Sequence, residues 1–316
     1  MGYYVGIDLG GTNIAAGLVN EEGKLVYTES TPTLSQRPAD EIIGDMAKLV
    51  ESLLEKHQIE KSAIHSVGVG VPGVADEKEG TVIYCVNLGW YDQPLKKPLE
   101  KALGLPVYID NDATVAGVAE YQAGKMQGYE NGIFITLGTG VGGGIISNGK
   151  VLSGSHGIGS EIGHMIVGEN FYDCNCGKNG CLETFASATA MIKYARHLLE
   201  HGHQSTLSEA LAGKYEGLTA KLIIDHAKAG DEVANQVVDR MVKYLAIGIF
   251  NLTNILDPEI YVIGGGVSKA GDFLLEKLRA LVEENKLFKT LPLGKIEIAA
   301  LENDAGIIGA ALLGKM

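Results

Sequence analysis

The stretch YVGIDLGGTNIAAGLVNEEGKLVY, residues 4–27, decides the fold expected for this chain. Residues 3–9 form an apolar run, Gly10 and Gly11 follow it, residues 12–19 form a second run, and Gly23 ends a turn into a third. Short apolar runs separated by glycine turns are typical of β-hairpins. The stretch therefore predicts an antiparallel meander of three strands.

Helix and strand patterns alternate after the meander. Residues 39–56 place apolar side chains at helical spacing, and residues 64–71 read as a buried strand that ends at a Pro-Gly turn. Further strands are predicted at 82–86 and 106–110, with a helix at about 95–103 between them. The first third of the chain is therefore predicted to be mixed α/β.

The opening pattern returns in residues 131–153, NGIFITLGTGVGGGIISNGKVLS. A strand, a glycine turn at 138–144, a second strand at 145–147, an Asn-Gly hairpin turn and a third segment follow one another again, and internal duplication is the simplest explanation. The remaining patterns predict helices at 184–201, 218–229, 231–256 and 271–285, strands at 261–264 and 295–300, and a last helix from about 304. We expect two α/β domains facing a cleft: residues 1–113, joined by the C-terminal helix 303–316, and residues 114–302.

Composition and charge restrict the class of protein. Hydrophobic residues at 46% and charged residues at 21% are typical of a soluble globular chain of 316 residues, which is long enough for two domains. A formal charge of −13 argues against a partner that is nucleic acid or an anionic membrane. No signal peptide or membrane span is recognised, and four cysteines without a disulfide pattern suggest the reducing cytoplasm.

A cluster of metal-ligand residue types lies in residues 161–183, EIGHMIVGENFYDCNCGKNGCLE. Three thiols and an imidazole, from His164, Cys174, Cys176 and Cys181, are the ligand set of a tetrahedral zinc ion. Four protein ligands complete the coordination shell, so we expect a structural zinc rather than a hydrolytic one. The alternative is three buried thiols in a glycine-rich loop, and Cys85 is expected to be a buried small residue.

Two acids accompany this zinc knuckle, Glu161 three residues before His164 and Glu183 two residues after Cys181. A polar ligand could bind to both acids and to His164. Alternatively, the acids orient the metal-bound imidazole or face water. The residues alone leave both interpretations open.

The glycine-rich segments do not match the common nucleotide motifs. Two G-x-G-x-x-G matches, at Gly68 and Gly138, lack the following helix that dinucleotide binding needs, and no Gly-Lys pair precedes Ser or Thr as in a P-loop. Two glycine turns remain, Gly10-Gly11-Thr12-Asn13 and Gly138-Thr139-Gly140. Their backbone N–H groups and hydroxyls could bind a polyphosphate, or the glycines could serve turn geometry alone.

Two further acids stand at the ends of predicted strands. Asp8 precedes the first glycine turn, where it could hold Mg²⁺ through water. Asn111 and Asp112 lie where a strand ends and a helix begins, a position typical of active-site residues. Asp112 could be a general base or only the N-cap of that helix.

Five motifs together resemble the ROK family of sugar kinases, within the hexokinase and actin superfamily. They are DLGGTN (8–13), ITLGTGVGGG (135–144), GSEIGHM (159–165), CNCGKNGCLE (174–183) and DPEIYVIGGGVS (257–268). The resemblance spans nearly the whole chain and is greatest to the bacterial glucokinases of the family. It implies two actin-like (ribonuclease H-like) domains with a cleft between them and a zinc knuckle, and a homodimer.

The resemblance also implies a role for each motif. Asp112 would be the base that takes the proton of the sugar 6-hydroxyl. The sugar ligands implied are Asn111, Glu161, His164 and Glu183, with Gly73 and Asn87 as additions. The ATP ligands implied are Gly10, Gly11, Thr12, Asn13, Thr139, Gly140, Gly264, Gly265 and Gly266, with Mg²⁺ near Asp8.

The activity implied is transfer of phosphate from ATP to glucose, an ATP:D-glucose 6-phosphotransferase. Kinases for N-acetylmannosamine, N-acetylglucosamine or fructose remain the alternative, because one frame serves several sugars. A sugar-responsive repressor or a non-catalytic zinc module are other classes; the repressors carry a preceding helix-turn-helix, and the module would lack Asp112. Ser160 and Thr114 depart from the usual family residues, and either could alter the sugar pocket.

Overall fold

Strands and helices alternate along the computed structural model, which describes residues 2–316. The elements of the first part are β1 (Tyr3–Leu9), β2 (Asn13–Asn20), β3 (Leu25–Pro32), α1 (Ala39–Lys56), β4 (Ile64–Val71), β5 (Val74–Asp76), β6 (Thr81–Cys85), β7 (Trp90–Pro94), α2 (Lys96–Leu103), β8 (Val107–Asn111) and α3 (Asp112–Ala123). The later elements are β9 (Gly132–Leu137), β10 (Val141–Ser147), β11 (Lys150–Val151), α4 (Glu183–Ala186), α5 (Ala188–Glu200), α6 (Thr206–Ala210), α7 (Ala220–Lys228), α8 (Glu232–Leu256), β12 (Ile260–Gly264), α9 (Asp272–Asn285), β13 (Lys295–Ile298) and α10 (Ala305–Leu312).

Two five-stranded sheets share one strand order. The first runs β3-β2-β1-β4-β8 and the second β11-β10-β9-β12-β13, so each has its third, second, first, fourth and fifth strand side by side. In the first sheet β1, β2 and β3 pair antiparallel, whereas β1 with β4 and β4 with β8 pair parallel. The shared order agrees with the internal duplication, and the predicted α/β fold class is confirmed.

The chain divides by its packing into two units. The first unit comprises the chain through Phe134, Gly144–Ser160 and Ala300–Met316; the second comprises Ile135–Gly143 and Glu161–Ala299. The C-terminal helix α10 thus belongs to the first unit, and so does α3. The sequence-based division after residue 113 stays a prediction.

The first unit has a core on one face of its sheet. Alternate residues of β1, Val5, Ile7 and Leu9, are buried together with the apolar stripe of α1. Full burial of one such aliphatic side chain stabilises the fold by about 1.5–3 kcal/mol. On the other face α10 lies directly on the backbone of β4, because a Cβ at Gly68 would be 1.7 Å from the Ala310 carbonyl oxygen.

Three local differences from the sequence-based elements have physical causes. The glycines 142–144, predicted as a turn, belong to β10; Gly144 lies against α3, where its Cα is 3.1 Å from the position of a Cβ on Gly117. The helix predicted over 184–201 is broken at Ser187, whose side chain caps α5 by accepting from the Ala190 N–H at 3.0 Å. Strands β5 and β7 were missed because they are short and flank β6 in a separate three-stranded sheet.

Candidate active site and metal centre

The four predicted metal ligands converge in the second unit. The imidazole of His164 and the thiols of Cys174, Cys176 and Cys181 place their ligand atoms within 4.8 Å of one another. Cys174 Sγ lies 3.7 Å from His164 Nδ1, and Cys176 Sγ lies 3.5 Å from Cys181 Sγ. Ligand atoms at zinc distances from one tetrahedral ion are about 3.5–3.8 Å apart. The donor set and its spacing therefore fit a closed, structural zinc site.

The knuckle loop is built to present its thiols. Gly177 adopts a φ of +84° and donates its N–H to the Cys174 carbonyl at 2.9 Å, and the Cys174 N–H donates to the Lys178 carbonyl at 2.8 Å. The backbone N–H of Lys178 also lowers the pKa of the Cys176 thiol, which favours the thiolate that binds a metal.

A polar network behind the knuckle was missed from the sequence. Asn170 Nδ2 and the Tyr172 hydroxyl both donate to the Thr184 carbonyl at 2.8 Å, and Arg240 Nη2 donates to Asn170 Oδ1 at 2.8 Å. The guanidinium lies over four aromatic rings, those of Phe171, Phe185, Tyr194 and Tyr244. The network ties the knuckle to α8, and no sequence motif indicates it because its hydrogen-bonded members Asn170 and Arg240 lie 70 residues apart.

The two acids and the histidine of the predicted sugar site lie on the knuckle. Glu161 and His164 are exposed; Glu161 precedes the 3₁₀ turn Ile162–His164 and His164 ends it. Glu183 is half-buried as the first residue of α4. Glu183 Oε1 is 3.7 Å from Cys174 Sγ, and its Oε2 accepts the Val141 N–H at 3.1 Å. The structure therefore brings Glu183, the metal ligands and the second glycine turn together.

Asn111, and not Asp112, is the N-cap of α3. Its Oδ1 accepts from the Ala113 N–H at 2.9 Å and the Thr114 N–H at 3.2 Å, and its Nδ2 donates to the Gly73 carbonyl at 2.9 Å. Asp112 is the exposed first residue of the helix and accepts from the Ala113 N–H at 2.8 Å. Because Asn111 caps the helix, Asp112 is not needed as the cap, and its side chain is exposed to solvent.

Two other carboxyl groups of the first unit lie in one row of the sheet. Asp8 on β1 is in register with Gly70 on β4, and Gly70 is in register with Asp110 on β8. Side chains of residues in register point to the same face of a sheet, so Asp8 and Asp110 lie on one face with Gly70 between them. Burial raises the pKa of Asp8, and raises that of Asp110 to about 7.

The first glycine turn is held by a residue that the sequence did not single out. The Gly10 N–H donates to the Asn13 carbonyl at 2.9 Å, and the hydroxyl of the fully buried Thr33 donates to the Gly10 carbonyl at 2.6 Å. Thr12 and Asn13 are exposed beyond these contacts. The loop thus presents polar side chains on a fixed backbone.

The second and third glycine turns lie in the second unit. The Gly138 N–H donates to the Gly140 carbonyl at 3.0 Å, with Thr139 exposed at the tip. Gly264 ends β12, and Gly265 follows with a φ of +82°. Leu137, the last residue of β9, would have its carbonyl oxygen 2.5 Å from a Cβ at Gly265, so glycine is required there.

Cys85 holds the turn that carries Asn87. The thiol is fully buried, as expected for a small core residue, and accepts backbone N–H groups of Leu88 and Asn87. Burial raises the pKa of the thiol, so it remains protonated. Asn87 itself is exposed.

The structure combines two sheets of the same strand order with three glycine turns and a His-Cys₃ knuckle. The chain belongs to the ROK family, whose family model matches residues 4–316. It is similar to a glucokinase of Halalkalibacterium halodurans, 42% identical over 314 residues that cover 99% of this chain and 95% of the relative. A glucokinase of Thermotoga maritima is 38% identical over 97% of this chain and 95% of its own length. The crystal structure of a ROK family glucokinase from Streptomyces griseus in complex with glucose and AMPPNP matches 99% of both chains at 34% identity, with a TM-score of 0.82.

Within residues 2–316, no helix combines the length and the apolar composition that crossing a bilayer requires.

Proposed function

We propose that this protein is a glucokinase that transfers the γ-phosphoryl group of ATP to the 6-hydroxyl of glucose. The observation that carries the proposal is the accessible carboxylate of Asp112 at the carboxyl end of β8, in a chain whose full-length relatives are named glucokinase. Relatives named for another sugar, such as N-acetylmannosamine, are less similar at 34% identity. Glucose is therefore the preferred assignment.

The proposed reaction joins the sugar O6 to the γ-phosphorus and breaks the bond from that phosphorus to the β,γ-bridging oxygen. The proton of the 6-hydroxyl passes to Asp112, and ADP leaves. In a loose transition state this proton moves late, so a carboxylate that orients the hydroxyl is sufficient. Asn111 holds Asp112 in place, because its side chain fixes both the first turn of α3 and the Gly73 carbonyl.

The remaining site residues are assigned by the same proposal. The sugar ligands are Gly73, Asn87, Asn111, Glu161, His164 and Glu183. The ATP ligands are Gly10, Gly11, Thr12, Asn13, Thr139, Gly140, Gly264, Gly265 and Gly266. Asp8 would hold Mg²⁺, which neutralises phosphate charge when it is bound, while the zinc of the knuckle would fix the loop that carries Glu161, His164 and Glu183.

We test the activity by measuring ATP-dependent phosphorylation of glucose, mannose, fructose, N-acetylglucosamine and N-acetylmannosamine in parallel. The expected result is a clear preference for glucose. Turnover of N-acetylmannosamine equal to or better than that of glucose would overturn the assignment, and failure with all five sugars would reject the kinase proposal.

The role of Asp112 has its own test, Asp112→Asn. The variant removes the proton acceptor but keeps the side-chain shape, so kcat is expected to fall by about a thousandfold, within the range for loss of a general base. Glucose binding should remain measurable through the fluorescence of Trp90, the single tryptophan of the chain, which lies near Asn87 in sequence. A variant that turns over at the wild-type rate would exclude Asp112 as the base.

We also propose that the enzyme is a cytoplasmic homodimer. None of the four cysteines is in a disulfide, which suits a reducing compartment, and the net charge of −13 gives no attraction for nucleic acid. Light scattering coupled to size-exclusion chromatography tests the oligomeric state, since a dimer has twice the mass of the chain.

A further inference from the structure

The carboxylate of Glu183 makes contacts in two directions within the second unit. Its Oε1 lies 3.7 Å from the sulfur of the metal ligand Cys174. Its Oε2 accepts the backbone N–H of Val141, at 3.1 Å, immediately after the second glycine turn. The side chain is half-buried at the start of α4, two residues after Cys181, so the knuckle fixes its position. One carboxylate therefore joins the metal centre to the backbone of the glycine turn.

The glycine turn approaches this carboxylate closely because residue 140 has no side chain. A Cβ at Gly140 would lie 2.2 Å from Glu183 Oε2 and 3.2 Å from its Cδ. A Cβ at Gly138, at the other end of the turn, would meet no atom within 4 Å. A methyl group at residue 140 would thus displace the carboxylate of Glu183, whereas one at residue 138 has open space.

We propose that Glu183 is a positioning residue for the phosphate-binding turn 138–140, so that binding at its sugar face and at this turn is energetically coupled through one side chain. This inference rests on the proposed function, which makes Glu183 a sugar ligand and the turn an ATP ligand. A sugar hydroxyl that orders the carboxylate also orders the Val141 N–H and the turn before it. Because such coupling is reciprocal, nucleotide binding strengthens sugar binding by the same factor.

The coupling predicts an effect of each residue on the ligand that it does not touch. Gly140→Ala displaces the carboxylate and is expected to weaken glucose binding in the absence of nucleotide by on the order of tenfold, within the usual range of coupling factors. Gly138→Ala is the matched control, since it adds the same methyl group to the same turn without reaching Glu183. Isothermal titration calorimetry with glucose alone compares the two. Equal glucose affinity in both variants would overturn the proposal.

The reverse direction uses Glu183→Ala and Glu183→Gln with MgADP in the absence of sugar. The alanine variant removes the acceptor of the Val141 N–H, so a weaker affinity for MgADP is expected. The glutamine variant keeps a carbonyl acceptor and should restore a large part of the affinity. Unchanged MgADP affinity in the alanine variant would contradict the coupling. Zinc content of about one per chain in each variant shows that the knuckle remains formed.

Hydrogen exchange separates failure of this inference from failure of the proposed function. The Val141 amide should exchange faster in Glu183→Ala than in the wild-type protein, whichever sugar the enzyme accepts. If wild-type protein phosphorylates no sugar but Val141 loses protection, the proposed function fails while the positioning role stands. If glucose is phosphorylated and Val141 exchange is unchanged by the substitution, the positioning role fails alone.

Discussion

At the scale of single residues, Asp110 is a buried acid two positions before the proposed base. Its side chain is 8% exposed and accepts the Asn111 N–H at 2.7 Å. Burial raises its pKa to about 7, and the negative charge of Glu77 adds to this shift; Asp8 lies in the same row of the sheet, with Gly70 between the two acids. The charged form is therefore disfavoured in the folded protein.

Replacement of this acid by asparagine is expected to change how stability depends on pH. The folded pKa of about 7 exceeds the ordinary value of 3.8, so the folded state binds the proton more tightly. Ionisation of Asp110 therefore lowers the free energy of unfolding as the pH rises. This effect is absent below pH 4, grows between pH 4 and 7, and is complete above pH 7. Asp110→Asn stays neutral and keeps an acceptor for the Asn111 N–H, so it should be more stable than wild type at pH 8, by at most about 4 kcal/mol.

Urea unfolding at pH 5 and pH 8 measures the effect. Asp40→Asn, a change at an exposed residue in the first turn of α1, is the control and should give the same difference from wild type at both pH values. A difference between Asp110→Asn and wild type that does not grow with pH would show that Asp110 titrates normally.

Residue types and spacing predicted the His164, Cys174, Cys176 and Cys181 cluster, which the structure brings together, and the position of Asn111 and Asp112 between a strand and a helix, which the structure has; the role of this pair in a reaction stays a prediction. The knuckle could be predicted because chelation needs soft ligands at short spacing, which a sequence displays directly. The burial of Cys85 agrees with its prediction as a small core residue, whereas Thr33 and Arg240 could not be predicted in this way. Their partners lie on other elements, and a buried hydroxyl or guanidinium has no sequence signature of its own.

At the scale of elements, α3 is joined to the chain segment that leads into α10. Glu120 is fully buried, and its Oε1 accepts from the Ala300 N–H at 2.8 Å and the Leu301 N–H at 2.9 Å. Its Oε2 accepts from the Lys125 N–H at 2.8 Å. Three backbone donors thus depend on one carboxylate, which fixes where the chain re-enters the first unit.

We expect Glu120→Gln to destabilise the protein by about 2–3 kcal/mol. An amide offers one oxygen, so its NH₂ group must face backbone N–H groups that then lose their acceptor in a buried place. Glu100→Gln is the control, because Glu100 accepts a single N–H, that of Val107, at 3.2 Å and should cost less than about 1 kcal/mol. Chemical denaturation compares the two, and equal losses would contradict the assigned role.

Element boundaries were predicted well where apolar periodicity is strong. Helix α1 and strand β4 have the bounds that their patterns predict, because each buries one continuous stripe or run. The glycines of β10 were read as a turn, since a sequence cannot show that α3 packs against them. Ser187 breaks a continuous helical pattern for a similar reason, because only its cap contact with Ala190 reveals the new start.

At the scale of the whole molecule, the repeated hairpin pattern predicted two related α/β parts, and both sheets have the same strand order. The pattern could not predict at which residues the chain passes from one unit to the other. Phe134, Gly143, Ser160 and Ala299 mark where it passes from one to the other, and strands β9 and β10 each contribute to both. The period of apolar residues along the sequence predicts where strands form. Which unit a strand belongs to depends on what it packs against, and the sequence does not show this.

Removal of zinc should act on one unit of the molecule. The first unit has its own core under β1, β4 and β8, whereas the knuckle of the second unit depends on four ligands that bind metal and fold together. Cys176→Ala is therefore expected to abolish zinc binding and to loosen the knuckle loop, so that trypsin cleaves at the exposed Lys178 while residues of the first unit stay protected.

The matched control is Cys85→Ala, which removes a buried thiol in the first unit and should keep about one zinc per chain. Metal analysis and mass spectrometry of the tryptic fragments give the two readouts on the same samples. Three thiolates and an imidazole would hold the ion, so loss of one ligand would leave an open site that a chelator can strip. Zinc retention by Cys176→Ala in the presence of a chelator, or equal cleavage at Lys178 in both variants, would mean that the loop is held by its own hydrogen bonds and that the metal is dispensable for the fold.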